Sequence, residues 1–164
     1  MKLAYYGNPV LRKKCEEIKQ FTPELKRFVE QMICLMDEKK GIGIAAPQVG
    51  ASIRLFVLRR YLSKEKGEWE VSEPYVYINP RILEYSEECW VEEEGCLSVP
   101  GLKVPVERPW RVKVEALDIE GKPFIFEAEG ENARAIFHEN DHLNGTLHID
   151  RASNSVKKEI EPLL

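Results

Sequence analysis

The chain has 164 residues, of which 43% are hydrophobic and 32% are charged, and its formal net charge is −4. This is the composition of an ordinary soluble globular protein of one domain, and it gives no reason to expect nucleic-acid binding. No apolar run approaches the roughly 18 residues of a membrane span, and the first residues lack a signal-peptide core. The four cysteines are unevenly spaced, which argues against a disulfide framework and for a reducing compartment.

The first clear element is a helix over residues 23–39. Thr22 is a good N-cap, Pro23 suits the first helical position, and apolar residues then recur with helical spacing as far as Met36. We expect Gly41 to end this helix in the left-handed conformation. Residues 41–50 then predict a buried strand and a turn that presents one polar amide, Gln48.

The middle of the chain has the pattern of β-structure. Residues 54–59 predict a strand, residues 61–74 an exposed charged loop, and residues 75–80 a second strand that ends at Pro80. Apolar and charged residues alternate from Trp110 onward, so one face of that segment is expected to be buried. Turn residues follow it, which predicts a hairpin over residues 110–128.

A helix from about Asn132 to Asn144 contains the most informative stretch, His-Glu-x-x-His at residues 138–142. Residues four apart share one helix face, so His138 and His142 can bind one metal ion from one side. Glu139 lies one position round the helix, where a general base for an activated water belongs. The alternative interpretation is a polar helix end that matches the pattern by chance.

A third metal ligand is needed, because catalytic zinc-type centres usually have three protein ligands and one open position. Cys96 is the best-placed candidate, since Gly95 beside it permits close approach, but spacing alone fits an inert buried thiol equally well. The rival class, a zinc metallopeptidase, would take its third ligand downstream, and a non-enzymatic metal-stabilised module would have a closed ligand set. The downstream candidates are His148, Asp150, Glu159 and Glu161.

Three segments, in this order, resemble the signature motifs of the peptide deformylase family: Gly-Ile-Gly-Ile-Ala-Ala-Pro-Gln at 41–48, Glu-Gly-Cys-Leu-Ser at 94–98 and His-Glu-x-Asp-His at 138–142. The resemblance extends over residues 3–153. It implies a metal-dependent hydrolase that removes the N-formyl group from the initiator methionine of newly made polypeptides and releases formate. It also implies an α+β fold in which small antiparallel sheets are wrapped around a central metal-binding helix, with an N-terminal helix. We expect one catalytic domain over residues 1–164.

The resemblance also implies roles for particular residues. It implies that Cys96, His138 and His142 are the metal ligands and that Glu139 is the general base. Oxyanion donors would be the side-chain amide of Gln48 and the backbone N–H of Leu97. Contacts with an extended peptide would come from Ile42, Gly43 and Gly95, with Ile42 beside the methionine side chain.

Two imidazoles and a thiolate suit several divalent metals. The resemblance favours Fe²⁺ in the cell, with Zn²⁺, Ni²⁺ or Co²⁺ possible in a purified sample. The expected partners are N-formylmethionyl peptides and nascent chains, without membrane or specific nucleic-acid binding, and ribosome contact is not readable from the sequence. The expected location is the cytoplasm, or an organelle interior if a presequence has been removed.

Some residues depart from the family pattern or have open roles. The family usually has glutamine at the position of Phe137 and an apolar residue at that of Asn140. It usually has an aromatic or aliphatic residue at the position of His148. We expect His148 at the surface or beside the ligands and not as a ligand. Glu94 is expected either to pair with Arg108 or to be exposed. The second N–H of a ligating histidine has two candidate partners, Asp141 and the neighbouring backbone.

Overall fold

A computed structural model describes residues 1–62 and 70–164. Within these residues the chain forms helices and antiparallel strands, joined by short 3₁₀ segments. In chain order the helices and strands are α1 Pro23–Glu38, β1 Gly43–Ala45, β2 Leu55–Leu62, β3 Glu70–Tyr85, β4 Cys89–Cys96, β5 Val99–Pro109, β6 Arg111–Leu117, β7 Pro123–Glu129, α2 Glu131–Leu143 and α3 Asn154–Ile160. The chain therefore mixes helices with small antiparallel sheets, as the resemblance implied.

The larger sheet has the strand order β1-β2-β3-β6-β7, and a different helix covers each of its faces. Successive side chains of a strand point to opposite faces. On β2, Leu55 and Val57 therefore pack with α1, whereas Phe56 and Leu58 belong to the core that includes α2. Residues 55–58 of β2 are thus buried on both faces, and α2 lies against the face that holds Phe56 and Leu58.

Strands β4 and β5 pair with each other in a second, two-stranded sheet, with Cys96 opposite Val99 at the connection. Val104 and Val106 of β5 pack against the C-terminal segment, in a core that includes Ile149 and Ile160. Arg134 of α2 donates a hydrogen bond to the carbonyl of Val106 at 2.8 Å. Because α2 contacts both sheets, the predicted arrangement of sheets around a central helix is confirmed.

Helix α1 begins as predicted but ends differently. The Thr22 hydroxyl accepts a hydrogen bond from the N–H of Leu25 at 3.2 Å. At the other end Lys40, not Gly41, is left-handed (φ 58), so the prediction for Gly41 was wrong. Gly41 meets a different requirement, because a Cβ there would lie 2.8 Å from Cδ1 of Leu97.

Strand β3 does not end at Pro80, as predicted, but continues to Tyr85. The register shifts between Ile78 and Arg81, and Asn79 adopts a positive φ of 50°. Such a bulge accommodates a proline, which cannot donate to the ladder. The Asn79 amide also exchanges two hydrogen bonds of 2.8 Å with the backbone of Ile18, which holds the irregular segment in place.

The remaining β-structure predictions have mixed outcomes. The expected hairpin over 110–128 is confirmed by β6 and β7. The expected loop over 61–74 was too long, because residues 61–62 and 70–74 belong to strands. Residues 63–69 of that loop lie outside the described residues. Among the described helices, none has the length and apolarity needed to cross a bilayer.

Candidate active site

The two histidines of the metal motif lie on α2, and residues just beyond the helix determine where it ends. Gly145 is left-handed (φ 74), and the N–H of Thr146 bonds back to the carbonyl of Asp141 at 2.9 Å. A Cβ at Gly145 would lie 2.5 Å from the carbonyl oxygen of Arg12, so a larger residue cannot replace it without movement. These local requirements end the helix just after His142.

The structure brings Cys96 to the histidine pair. The potential ligand atoms of Cys96, His138 and His142 all lie within 4.8 Å of one another. The Cys96 sulfur is 3.4 Å from Nε2 of His142. One soft thiolate and two imidazoles are a donor set that zinc, iron(II) and similar ions accept. The three residues that the resemblance implied as ligands therefore fit one divalent metal ion.

Glu94 fixes the orientation of His138. Its Oε1 lies 2.9 Å from Nδ1 of His138, which leaves Nε2 of that ring free to face a metal. Arg108 binds Glu94 through two hydrogen bonds of 2.8 and 2.9 Å, so the expected Glu94–Arg108 pair is present. Arg134 binds the same carboxylate at 2.7 Å. Burial alone would raise the pKa of Glu94, but hydrogen bonds from Arg108 and His138 lower that pKa far below its ordinary value.

In the described structure Asp141 accepts no hydrogen bond from a ligating histidine, so this alternative was wrong. Its carboxylate instead accepts hydrogen bonds from Arg108 at 2.7 Å and from Arg151 at 3.0 and 3.1 Å. In the described part of the chain, Nδ1 of His142 has no hydrogen-bond partner. Burial, followed by nearby positive charge, lowers the pKa of His142 well below its usual value. The ring is thus neutral, as a metal ligand must be.

Glu139 is buried beside the three potential ligands, with only 5% of its surface exposed. Burial raises the pKa of Glu139 to about 7. A Cβ at Gly43 would lie 2.9 Å from Oε2 of Glu139, so the glycine leaves room for this carboxyl group. An acid with a pKa near neutrality can both accept and return a proton, as a general base must.

The amide of Gln48 points toward Cys96. Its Oε1 accepts a hydrogen bond from the N–H of Ala45 at 2.9 Å, and its Nε2 donates to the hydroxyl of Ser98 at 3.1 Å. The same Nε2 lies 3.7 Å from the Cys96 sulfur. These contacts hold a buried N–H donor beside the potential ligands, which gives Gln48 a fixed place in the site.

A cleft of about 930 Å³ opens onto these groups. The segment with Ile42 and Gly43, the end of β4 and one face of α2 all line the cleft. The predicted site residues that line the cleft are Ile42, Gly43, Gln48, Gly95, Cys96, Leu97, His138 and Glu139, whereas His142 is buried behind them. Among the described residues, a Cβ at Gly95 would meet only the side chain of Lys103, at 3.5 Å. The close approach of a peptide to Gly95 therefore stays a prediction.

Some lining residues were not predicted. Ala135, Arg134 and Glu131 precede His138 by three, four and seven residues on α2 and line the same cleft. These spacings return to one helix face, so the helical repeat could have identified them from the sequence. Tyr61 lines the cleft as well, at a position where the sequence suggested only a loop.

The downstream candidates for a third ligand are engaged elsewhere or exposed. His148 is buried, with its Nε2 3.2 Å from the Leu102 carbonyl and its ring centroid 5.7 Å from that of His138. It lies beside the ligands, so the surface alternative was wrong. Asp150 pairs with Arg12 and accepts a hydrogen bond from the N–H of Leu147 at 2.8 Å. Glu159 and Glu161 are exposed, so the metallopeptidase interpretation is not favoured.

Two of the departures from the family pattern, Phe137 and Asn140, lie on α2. Phe137 packs edge-on against Tyr85, with ring centroids 6.4 Å apart, and so belongs to the packing against β3. Asn140 is half-buried, and its Oδ1 has no hydrogen-bond partner among the residues described. Neither side chain lines the cleft. These departures therefore concern packing around the helix more than the chemistry of the site.

Comparison with known proteins agrees with this geometry. A sequence profile described as polypeptide deformylase matches residues 1–158. The peptide deformylase of Clostridium botulinum is 47% identical over 148 residues, which cover 90% of this chain and 93% of that protein. The crystal structure of peptide deformylase from Plasmodium falciparum is 41% identical with a TM-score of 0.88, covering 98% of this chain and 91% of that chain. The Thermotoga maritima structure is 43% identical with a TM-score of 0.84, covering 93% and 97%. This chain therefore belongs to the polypeptide deformylase family of metal-dependent hydrolases.

Proposed function

We propose that this chain removes the N-formyl group from the initiator methionine of newly made polypeptides, with residues 1–164 acting as one catalytic domain. The observation that carries the proposal is the convergence of Cys96 with His138 and His142 beside the buried acid Glu139 in an open cleft. The reaction would take place in the cytoplasm, or in an organelle interior, wherever formylated nascent chains are made.

Cys96, His138 and His142 would hold one divalent metal ion, which when bound lowers the pKa of a water and polarises a carbonyl group. We propose Fe²⁺ in the cell, with Zn²⁺, Ni²⁺ or Co²⁺ able to replace it in a purified sample, because the donor set suits all of them. The Glu94 carboxylate keeps the proton of His138 on Nδ1, which presents Nε2 as the ligand. Burial lowers the pKa of His138, but hydrogen bonds with Cys96 and Glu94 raise it well above the usual value, so its surroundings favour positive charge. A metal ion on Nε2 would supply that charge in place of a proton and leave the ring neutral.

Glu139 is the proposed general base. Its carboxylate accepts a proton from the water that adds to the formyl carbon, and then gives that proton to the amine nitrogen as the C–N bond breaks. The products are formate and a peptide with a free amino terminus. Burial suits Glu139 to both halves of this task, because it holds the pKa near 7.

The negative charge that develops on the formyl oxygen needs hydrogen-bond donors already in place. We assign this role to Nε2 of Gln48 and to the backbone N–H of Leu97. The Gln48 amide is oriented by Ala45 and Ser98, so little reorganisation is needed during the reaction. Loss of one such donor typically costs about 2.7–4 kcal/mol of transition-state stabilisation.

The peptide is proposed to lie extended between the segment with Ile42 and Gly43 and the end of β4, both of which line the cleft. Backbone groups near Gly43 and Gly95 would bond to it as to an added strand. The methionine side chain would lie between Ile42 and the α2 face that contains Ala135, both of which line the cleft. This placement accounts for the glycines and for the apolar residue of the first motif.

The substrate assignment predicts that the metal-loaded protein releases formate from formyl-Met-Ala-Ser and leaves internal peptide bonds intact. A formyl carbon bears only hydrogen, so it can reach a recessed centre beside Cys96. An internal carbonyl carries a further chain on that side, where Gly95, Cys96 and Leu97 form the wall. Anaerobic assays should measure formate from the formylated tripeptide and cleavage of a longer unformylated peptide. Acetyl-Met-Ala-Ser is the control and should react far more slowly. Cleavage of the longer peptide without formate release would support a metallopeptidase instead.

The ligand assignment predicts that Cys96→Ala loses the metal and the activity together. The alanine removes the only thiolate of the set, and two histidines alone bind a divalent metal more weakly. Metal content per chain, measured by mass spectrometry after gel filtration, checks this directly. Cys89→Ala is the matched control, because Cys89 lies exposed at the opposite end of the same strand. Full metal occupancy in Cys96→Ala would contradict the assignment.

A further inference from the structure

The cleft does not stop at the metal ligands but follows α2 toward its first turn. His138, Ala135 and Glu131 are spaced by three and four residues, share one helix face and all line the cleft. At a rise of about 1.5 Å per residue, Glu131 lies roughly 10 Å from His138 along the helix. The face of α2 that lines the cleft therefore runs from a potential metal ligand, past a small apolar residue, to a carboxylate.

Arg134, the described cation that acts on Glu131, does not form an ion pair with this carboxylate. Arg134 is committed to Glu94 at 2.7 Å and to the carbonyls of Val106 and Trp90 at 2.8 and 2.9 Å. Its guanidinium also lies over the Trp90 ring, 4.5 Å from the centroid. Within residues 1–62 and 70–164, no lysine or arginine is within ion-pair distance of Glu131.

The surroundings of Glu131 disfavour its negative charge. Burial raises the pKa of Glu131, Arg134 lowers it, and the carboxylates of Glu92 and Glu94 raise it further. The nearby Tyr61 phenol has a raised pKa, first because of burial and then because of the charge on Glu131. A cation arriving next to Glu131 would stabilise its charged form.

The length of a substrate side chain decides whether it reaches this carboxylate. From the formyl carbon to the terminal methyl of an extended methionine is roughly 7–8 Å, with bonds of about 1.5 Å. Lysine is longer by one atom, and that atom is an ammonium nitrogen, which would arrive next to Glu131. On the basis of the proposed function, we propose that Glu131 determines side-chain specificity and admits formylated peptides whose first residue ends in a cation, such as lysine.

An acidic residue in the first turn also stabilises a helix through the helix dipole. That role would change the stability of α2 but would treat all substrates alike. A comparison of two substrates within one variant separates the two roles. Lysine and norleucine form the matched pair, because their side chains share the same four-carbon chain and differ in the ammonium group.

The test measures kcat/KM for formyl-Lys-Ala-Ser and for formyl-norleucine-Ala-Ser with the metal-loaded wild type, Glu131→Gln and Glu129→Gln. The control Glu129→Gln makes the same change of charge at an exposed residue that does not line the cleft. We expect the lysine-to-norleucine ratio to fall about fivefold in Glu131→Gln, the size of a partly exposed ion pair, and to stay unchanged in the control. Raising the salt concentration to about 0.5 M should lower the ratio in wild type, because salt screens the pair.

The outcomes separate this inference from the proposed function. If norleucine peptide is deformylated but the ratio is the same in wild type and Glu131→Gln, Glu131 does not determine specificity. A wild-type ratio that is insensitive to salt argues the same way without any variant. If neither peptide yields formate, the proposed deformylase activity itself is wrong.

Discussion

Glu139→Gln should retain the metal and the fold while turnover of formyl-Met-Ala-Ser falls by about 10²–10⁴-fold, the usual contribution of general acid–base catalysis. The glutamine has nearly the same shape but cannot accept the proton from the attacking water. In the described residues Oε1 of Glu139 has no hydrogen-bond partner, so the amide loses no contact at that atom. The loss should therefore lie in kcat, with metal content and melting temperature close to those of wild type.

The control for this change is Glu127→Gln, at an exposed position on β7. It makes the same change in net charge far from the cleft and should keep wild-type turnover. A base must be ionised to act, so wild-type kcat/KM should rise with pH as Glu139 loses its proton. This limb of the profile should be missing from the residual activity of Glu139→Gln. Turnover of the variant within tenfold of wild type would exclude Glu139 as the base.

The helices of this fold could be predicted because their signals are local. Thr22 and Pro23 define the start of α1, and the histidine spacing places the site on α2. Spacing could not decide whether Cys96 is a ligand, because its position depends on the pairing of β4 with β5. The hairpin sets Cys96 opposite Val99, and packing of both sheets on α2 then brings the thiol to the histidines. The family resemblance supplied that information where the residue pattern could not.

Three of the wrong predictions share a physical cause, which is a contact between residues far apart in sequence. Strand β3 passes Pro80 because Asn79 bonds to Ile18, which is 61 residues away. His148 is buried, and its Nε2 lies 3.2 Å from the carbonyl of Leu102 on β5. Asp141 binds Arg108 and Arg151, which no helical spacing reveals. Local rules find caps and faces, whereas these partners are known only once the sheets have been assembled.

The largest loss of stability is expected from Glu94→Gln. Glu94 and Arg108 are both about 95% buried, and Arg134 shares the same carboxylate. Among the described residues, removing the charge of Glu94 leaves the buried guanidinium of Arg134 without an ion pair and that of Arg108 with Asp141 alone. Breaking a buried pair from one side typically costs about 3–5 kcal/mol. Because a domain is stable by only about 5–15 kcal/mol, urea denaturation of the metal-free protein should detect this loss easily.

The control for stability is Glu107→Gln, an exposed residue next to Arg108, which should stay within about 0.5 kcal/mol of wild type.

Two further measurements separate the roles of Glu94. In Glu94→Gln the neutral amide holds the His138 ring less firmly than the carboxylate does, so metal affinity should fall by about 10–100-fold. The folded-state pKa of Glu94 lies below its ordinary value of 4.5, so its contribution to wild-type stability is present above that pH and lost as the pH falls further. Glu94→Gln should lack this acid-dependent part of the unfolding free energy. A variant that is as stable as wild type at neutral pH and binds metal equally well would show that the Glu94 charge neither supports the buried arginines nor orients His138.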